Sequence, residues 1–331
     1  MAIEVGRKHS FALGIETTSG TAGAIDTWIP LEEWVLTPKT DPIIDESGFA
    51  TISAGADAHV TKNWSEFTGK GIARPLSFGY LLLLALGTAG TPSLVETGVY
   101  THAFTVKNDN THPSTTLIHD DATQEEQATY AMIDTLAISG EVADYLRFDT
   151  KMVARNPSDA TGNTPAFTAD TPFLVSRAQV KFASNIAGLS GASVVPVQSF
   201  NLNIEKNLEQ IWSTEATAGT EALDFATQHN KDLRVSWDFT IIYNNKTYRD
   251  LAIAGTLQAI EIKVDGRSLI GATKREELII QLASCVLTEW DKDMGNDSIV
   301  TQTFGFTALY KLSETKQLTA TLQNSKSTIY A

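Results

Sequence analysis

Apolar residues fall in short alternating runs along most of the chain, with one exception, the stretch 71–88, GIARPLSFGYLLLLALGT. There Pro75 sets up a helix entry and Ser77 stands where a capping hydroxyl belongs. Phe78, Leu81, Leu82, Ala85 and Leu86 then recur at helical spacing until Gly87 stops the run. The spacing predicts a core helix of about three turns over 77–87. Leu83 and Leu84 widen its apolar surface almost all round, so burial on more than one side is expected. The run is about ten residues, half of what a bilayer crossing needs.

Period-two alternation marks strands elsewhere. In Trp28–Leu36, Trp34 and Leu36 share one face, opposed by Glu33, Val35 and Thr37. Val60–Phe67 and Val99–Val106 read as further strands, and Asp134–Gly140 with Tyr145–Ala154 as a hairpin. The polar stretch Asp41–Asp57 is expected to be a long loop, of a length that tends to be functional or interface-forming, and Ala122–Ala128 is compatible with a short acidic helix. Asn156–Thr171, rich in Pro, Gly, Asn and Thr, is the clearest linker signal.

Beyond it the order of elements recurs. Val194–Leu202 echoes Trp28–Leu36, with Pro196 and Pro30 offset by 166, and Trp237-Asp238-Phe239 echoes Trp64–Phe67. Tyr248–Gly255 takes the place of the leucine helix, and Ala283–Thr288 with Val300–Tyr310 the place of the hairpin. This repetition of strand, strand, short helix, strand and hairpin predicts a duplicated unit.

Composition narrows the function classes. With 331 residues there is room for two domains, and the net charge of −14 argues against attraction to nucleic acid phosphates or anionic membranes. Residues 1–165 hold 10 basic against 21 acidic residues, net −11, and residues 166–331 hold 15 against 18, net −3. The N-terminal residues lack an apolar signal region, which places synthesis in a cytoplasm. The lone Cys285 lies in an apolar run and reads as a buried hydrophobe.

Chemical motifs are weak. His102, His112, His119, Asp120 and Asp121 lack metal-ligand spacing, and Asp291–Asp297 mimics a calcium loop but has Asn296 where glycine and Gln302 where glutamate is needed. No nucleophile elbow, zinc-helix motif or phosphate loop occurs, so no enzyme and no cofactor is expected.

The segment 14–21, GIETTSGT, the strand after it, the Gly71–Leu76 lead into the helix and the strand-rich remainder closing on a paired hairpin are together similar to the major tail tube proteins of long-tailed, siphovirus-like bacteriophages. The second helix is shorter and more polar than the first, and no immunoglobulin-like extension is visible before the polar tail Gln317–Ala331. The resemblance implies a mainly β (α+β) fold of two tandem tail-tube-like β-sandwich or barrel domains, each with one flanking short helix. They would occupy residues 1–158 and 173–331, joined by a linker at 159–172. It implies a structural virion protein of the tail, assembled in the host cytoplasm. Such proteins polymerise into stacked rings forming the tube through which genomic DNA is ejected. The implied partners are further copies of itself, as a homotrimer with pseudo-sixfold symmetry or a homohexamer, and the tape measure, tail terminator and tail tip proteins. DNA would pass without specific binding, and no membrane is involved. Glu33, Asp149, Glu205 and Asp238, opposite Trp34, Phe148, Ile204 and Trp237, are then expected to line or rim the bore. Another virion or secretion-tube protein, or a β-rich carbohydrate-binding protein or enzyme, are the alternative classes.

Overall fold

Alternation such as that of Arg234–Ile242, where Val235, Trp237, Phe239 and Ile241 are buried and the residues between them are not, builds nearly all of the molecule. A computed structural model of the chain describes residues 6–121, 124–213, 223–295 and 299–331. It is mainly β and overwhelmingly antiparallel, with three α-helices among the described residues.

The first half runs β1 (Ser10–Ile15), β2 (Thr27–Trp28), β3 (Leu31–Asp45), β4 (Asp57–Ile72), α1 (Phe78–Leu86), β5 (Gly87–Ala89), β6 (Ser93–Glu96), β7 (Val99–Val106), β8 (Thr115–Asp120), β9 (Glu125–Glu141), β10 (Arg147–Ala154) and β11 (Ser158–Ala160). The second runs β12 (Ala178–Ala183), α2 (Ile186–Leu189), β13 (Val194–Val195), β14 (Ser199–Glu205), β15 (Leu208–Ile211), β16 (Leu223–Asp224), β17 (Thr227–Asn230), β18 (Arg234–Ile242), α3 (Thr247–Ala254), β19 (Gln258–Leu269), β20 (Arg275–Asp293), β21 (Thr301–Ala308) and β22 (Leu318–Asn324).

Pairing follows one plan in both halves. The first is ordered β2–β1–β8–β9–β10–β4–β3. The second is ordered β13–β12–β19–β20–β21–β18–β14. Even the irregularities coincide. Lys151↔Thr135 followed by Met152↔Ile133 skips Asp134, and Gly305↔Glu289 followed by Phe306↔Leu287 skips Thr288, each residue 154 beyond its counterpart. A second bulge, between Thr115↔Ala131 and Leu117↔Ala128, is matched between Gln258↔Cys285 and Ile260↔Leu282. Bulges bend a strand where it passes from one layer to another, which is the task of both β9 and β20.

The halves join through β14, which pairs with the C-terminal part of β9 from Ser199↔Glu141 to Glu205↔Thr135. The strands β3–β4–β10–β9–β14–β18–β21–β20 therefore form one antiparallel layer through the whole chain. On the second layer β7 reaches across from the first half to pair with β22, which lies against β20. One hydrophobic cluster, including Phe67, Leu136, Trp237 and Phe304, draws on both halves.

All nine residues of α1 are buried, among them Phe78, Leu81, Leu82, Ala85 and Leu86. Gly87 ends the helix with φ 92, a left-handed conformation that favours glycine. The start differs from expectation: Ser77 is itself helical and makes no side-chain cap, and the Asp170 carboxylate accepts from Leu76 N just ahead of it. Three other expectations are corrected. The loop expected over Asp41–Asp57 is shorter, spanning 46–56, since β3 extends to Asp45 and β4 begins at Asp57. Glu125–Ala128 is strand, held by β8 and β11, while residues 122–123 lie outside the described residues. The polar tail is structural: Leu318, Ala320 and Leu322 are buried on β22, and Tyr330 is 1% exposed.

Candidate assembly surfaces

The through-going layer has two unlike faces. Leu136, Ile138, Leu202, Ile204 and Trp237 point into the core, so the residues between them point out. Glu33, Asp149, Glu205 and Asp238 all lie on that outward face, on β3, β10, β14 and β18. The face is not uniformly acidic. Lys70 stands between Glu33 and Asp149, 3.3 Å from the Glu33 carboxylate, and Arg234 stands opposite Glu205. Asp238 is flanked instead by Asn201 and Gly305. Burial first, and then the nearby Glu289 carboxylate, raise its pKa above the ordinary value.

Two charged groups that local sequence does not reveal fix the ends of α1. The Asp170 carboxylate accepts from Leu76 N at 2.6 Å, and the Asp170 carbonyl accepts from Arg74 Nη1 at 2.6 Å. At the other end Lys206 Nζ donates to Leu84 O at 2.7 Å. This lysine follows β14 of the second half and is 0% exposed, so it crosses the seam to reach the first half's helix. Burial pushes its amine down to about 7, against the pull of the Asp134 carboxylate. Tyr330 closes the helix from above: its ring occupies the space a Gly79 Cβ would need, at 2.3 Å, and its hydroxyl donates to Leu76 O at 3.0 Å.

The 14–21 segment is explained by Glu16, which is 7% exposed. Its carboxylate accepts from Gly20 N, Ser114 Oγ, Thr116 Oγ1 and Tyr130 N at 2.7–2.9 Å, tying a loop, β8 and β9 together. Gly14 is required by close approach, since a Cβ there would meet Ala24 O at 2.2 Å.

The arm of β5–β7 grips the second half at its tip. Glu96 accepts from Ala272 N and from Thr273 N and Oγ1, in the turn between β19 and β20. Desolvation opposes its ionisation, but the bonds from Thr273 and Ala272 outweigh it and hold the carboxyl below its ordinary value. His102 Nε2 contacts Lys326 O at 3.0 Å, so this histidine belongs to the arm's seating.

His112 and His119 do not converge. His112 contacts Lys107 O, whereas His119 packs against Trp34 with ring centroids 4.1 Å apart. No group of three potential metal ligands occurs among the described residues, and 296–298 of the calcium-like loop lie outside them. Cys285 is buried, and burial pushes its thiol up to about 12.

No curated protein matches the chain. The family model described as "Phage tail tube protein" matches residues 6–308, nearly the full length of the chain and both halves of its strand plan. On that match the chain, whose architecture is mainly β, belongs to the phage tail tube protein family.

Proposed function

We propose that this protein forms the rings of a phage tail tube, with three chains in each layer and the outward face of the β3-to-β20 layer turned to the bore. The observation that carries the reading is that this layer consists of two four-stranded blocks of matching order and register. Such matching is what a duplicated tube unit produces, so three chains supply six blocks. At about 4.8 Å per strand, twenty-four strands span at least about 115 Å of circumference and a diameter of about 37 Å. That leaves a passage for a DNA duplex once side chains are subtracted.

The alternating charges suit a conduit. Bases opposite Glu33, Asp149 and Glu205 preserve local neutrality, while the net charge of −14 discourages adhesion of phosphates. The β3–β4 hairpin extends beyond the layer and exposes Ile43, Ile44, Phe49 and Ile52, an apolar tip suited to the next ring. In the virion such a tube would meet the tape measure, terminator and tip proteins, and DNA would leave through it.

Cryo-electron microscopy of the assembled protein tests the proposal. Three chains per layer, each contributing two superposable blocks around the bore, is the expected result. Six chains per layer, or a layer whose bore is lined by other residues, would overturn it.

A further inference from the structure

The seam inside one chain offers a pattern for the contact between chains. At the seam, Leu136 and Ile138 of β9 lie beside Ile204 and Leu202 of β14, and all four are buried. The same layer ends at β3 on one side and at the C-terminal part of β20 on the other. Among the described residues, β3 pairs only with β4, and residues 287–293 pair only with β21.

The internal repeat fixes how these edges correspond to the seam. Each residue in this part of β20 lies 154 beyond its β9 counterpart, as the matched bulges require. The same offset relates Gln302 to Phe148, whose partners Ile241 and Gly71 differ by 170. Two residues along, Phe239 corresponds to Gly69, and their partners Phe200 and Trp34 differ by 166. Applying 154 and 166 to the seam converts Asn203↔Ala137 into Thr37↔Asp291.

We infer that β3 of one copy pairs antiparallel with β20 of the next in the frame Lys39↔Glu289, Thr37↔Asp291, Val35↔Asp293. The inference rests on the tube reading and specifies its joint. Both edges carry inward apolar side chains that one chain leaves partly uncovered: Trp34 and Leu36 on β3, Trp290 on β20, and Met294 just beyond, 64% exposed. Their seam counterparts are covered by the neighbouring strand. The frame sets Lys39 opposite Glu289, a favourable cross-strand pair. Pro38, in the place of Ile204, has no N–H and so contributes one donor fewer to the ladder.

The joint between copies also lacks a brace that the seam possesses. In the first half the β5–β7 arm lies between α1 and β8, whereas in the second half α3 ends at Ala254 and β19 begins at Gln258. Among the described residues there is no second arm to reach the next copy's outer layer. The ring thus alternates braced seams within chains and unbraced joints between them.

Paired cysteines test the frame, with the buried Cys285 giving little background. On oxidation, T37C/D291C rings should yield disulfide-linked trimers as the main species, and V35C/D291C, two residues out of frame, should not. Rings in which V35C/D291C links better, or T37C/D291C does not link, would overturn the frame while leaving the tube intact. Failure of the unmodified chain to form rings would overturn the tube reading itself. Hydrogen exchange needs no variant: amides within 33–37 and 289–293 should slow when unmodified chains assemble, and unchanged exchange there overturns the inference.

Discussion

A lysine with no exposed surface is an unusual way to finish a helix, and Lys206 makes the fold sensitive to pH. Its amine is pushed down to about 7, while in the unfolded chain it has the ordinary lysine value. Between about pH 7 and 10 the unfolded chain therefore binds more protons, and stability rises with pH by up to about 1.4 kcal/mol per unit from this group. Chemical denaturation across that range should show the rise, and Lys206→Met should lack it; an equal slope in both proteins would refute the assignment. The bond from Lys206 to Leu84 could not be found from sequence, because 122 positions separate them. The same holds for Asp170 and Tyr330, whose roles arise from tertiary placement in stretches that read locally as linker and tail. By contrast, the outward placement of Glu33, Asp149, Glu205 and Asp238 was legible, since alternation alone fixes which face a strand residue takes.

Among the elements, α1 was legible because its apolar density permits no other environment, and Gly87 marks its end. The β5–β7 arm was not. Val99–Val106 reads as a strand, but nothing local shows that it pairs with β22 more than two hundred residues later. Its tip depends on Glu96, whose depressed pKa means that its contribution is present above the ordinary carboxylate value and is lost as pH falls through the lower folded value. Glu96→Gln should speed hydrogen exchange at Ala272 and Thr273 while leaving global stability nearly unchanged, as befits a contact at the arm's tip. Unaltered exchange at those two amides would remove Glu96 from the arm's seating. The β3–β4 hairpin escaped recognition because Gly, Ala and Asp weaken its alternation, although backbone pairing continues to Asp45↔Asp57.

For the molecule as a whole, the recurring strand order was visible where turn chemistry was retained. The 166 offset of Pro30 and Pro196 is the offset that strand register gives for Trp34 and Phe200. Elsewhere composition had drifted: register sets Trp237 beside Phe67 as its counterpart, not beside Trp64. The halves are held by the β9–β14 ladder, the β7–β22 ladder and Lys206. A single proteolytic cut at Gly162, an exposed position with φ 92, should therefore leave the two pieces together on gel filtration, and their separation would show that the seam needs the linker.

The seam also bears on how rings are made. A partner tethered in the same chain meets its neighbour at an effective concentration in the millimolar range, whatever the protein concentration. Half of the lateral contacts in the proposed ring would thus form by intramolecular folding, before any encounter between chains. Closure becomes a problem of three bodies instead of six, and dilution weakens only the joints at β3 and β20. A ring taken apart by dilution should yield intact two-block chains, with the break falling at the ends of the polypeptide's through-going layer and never at its middle.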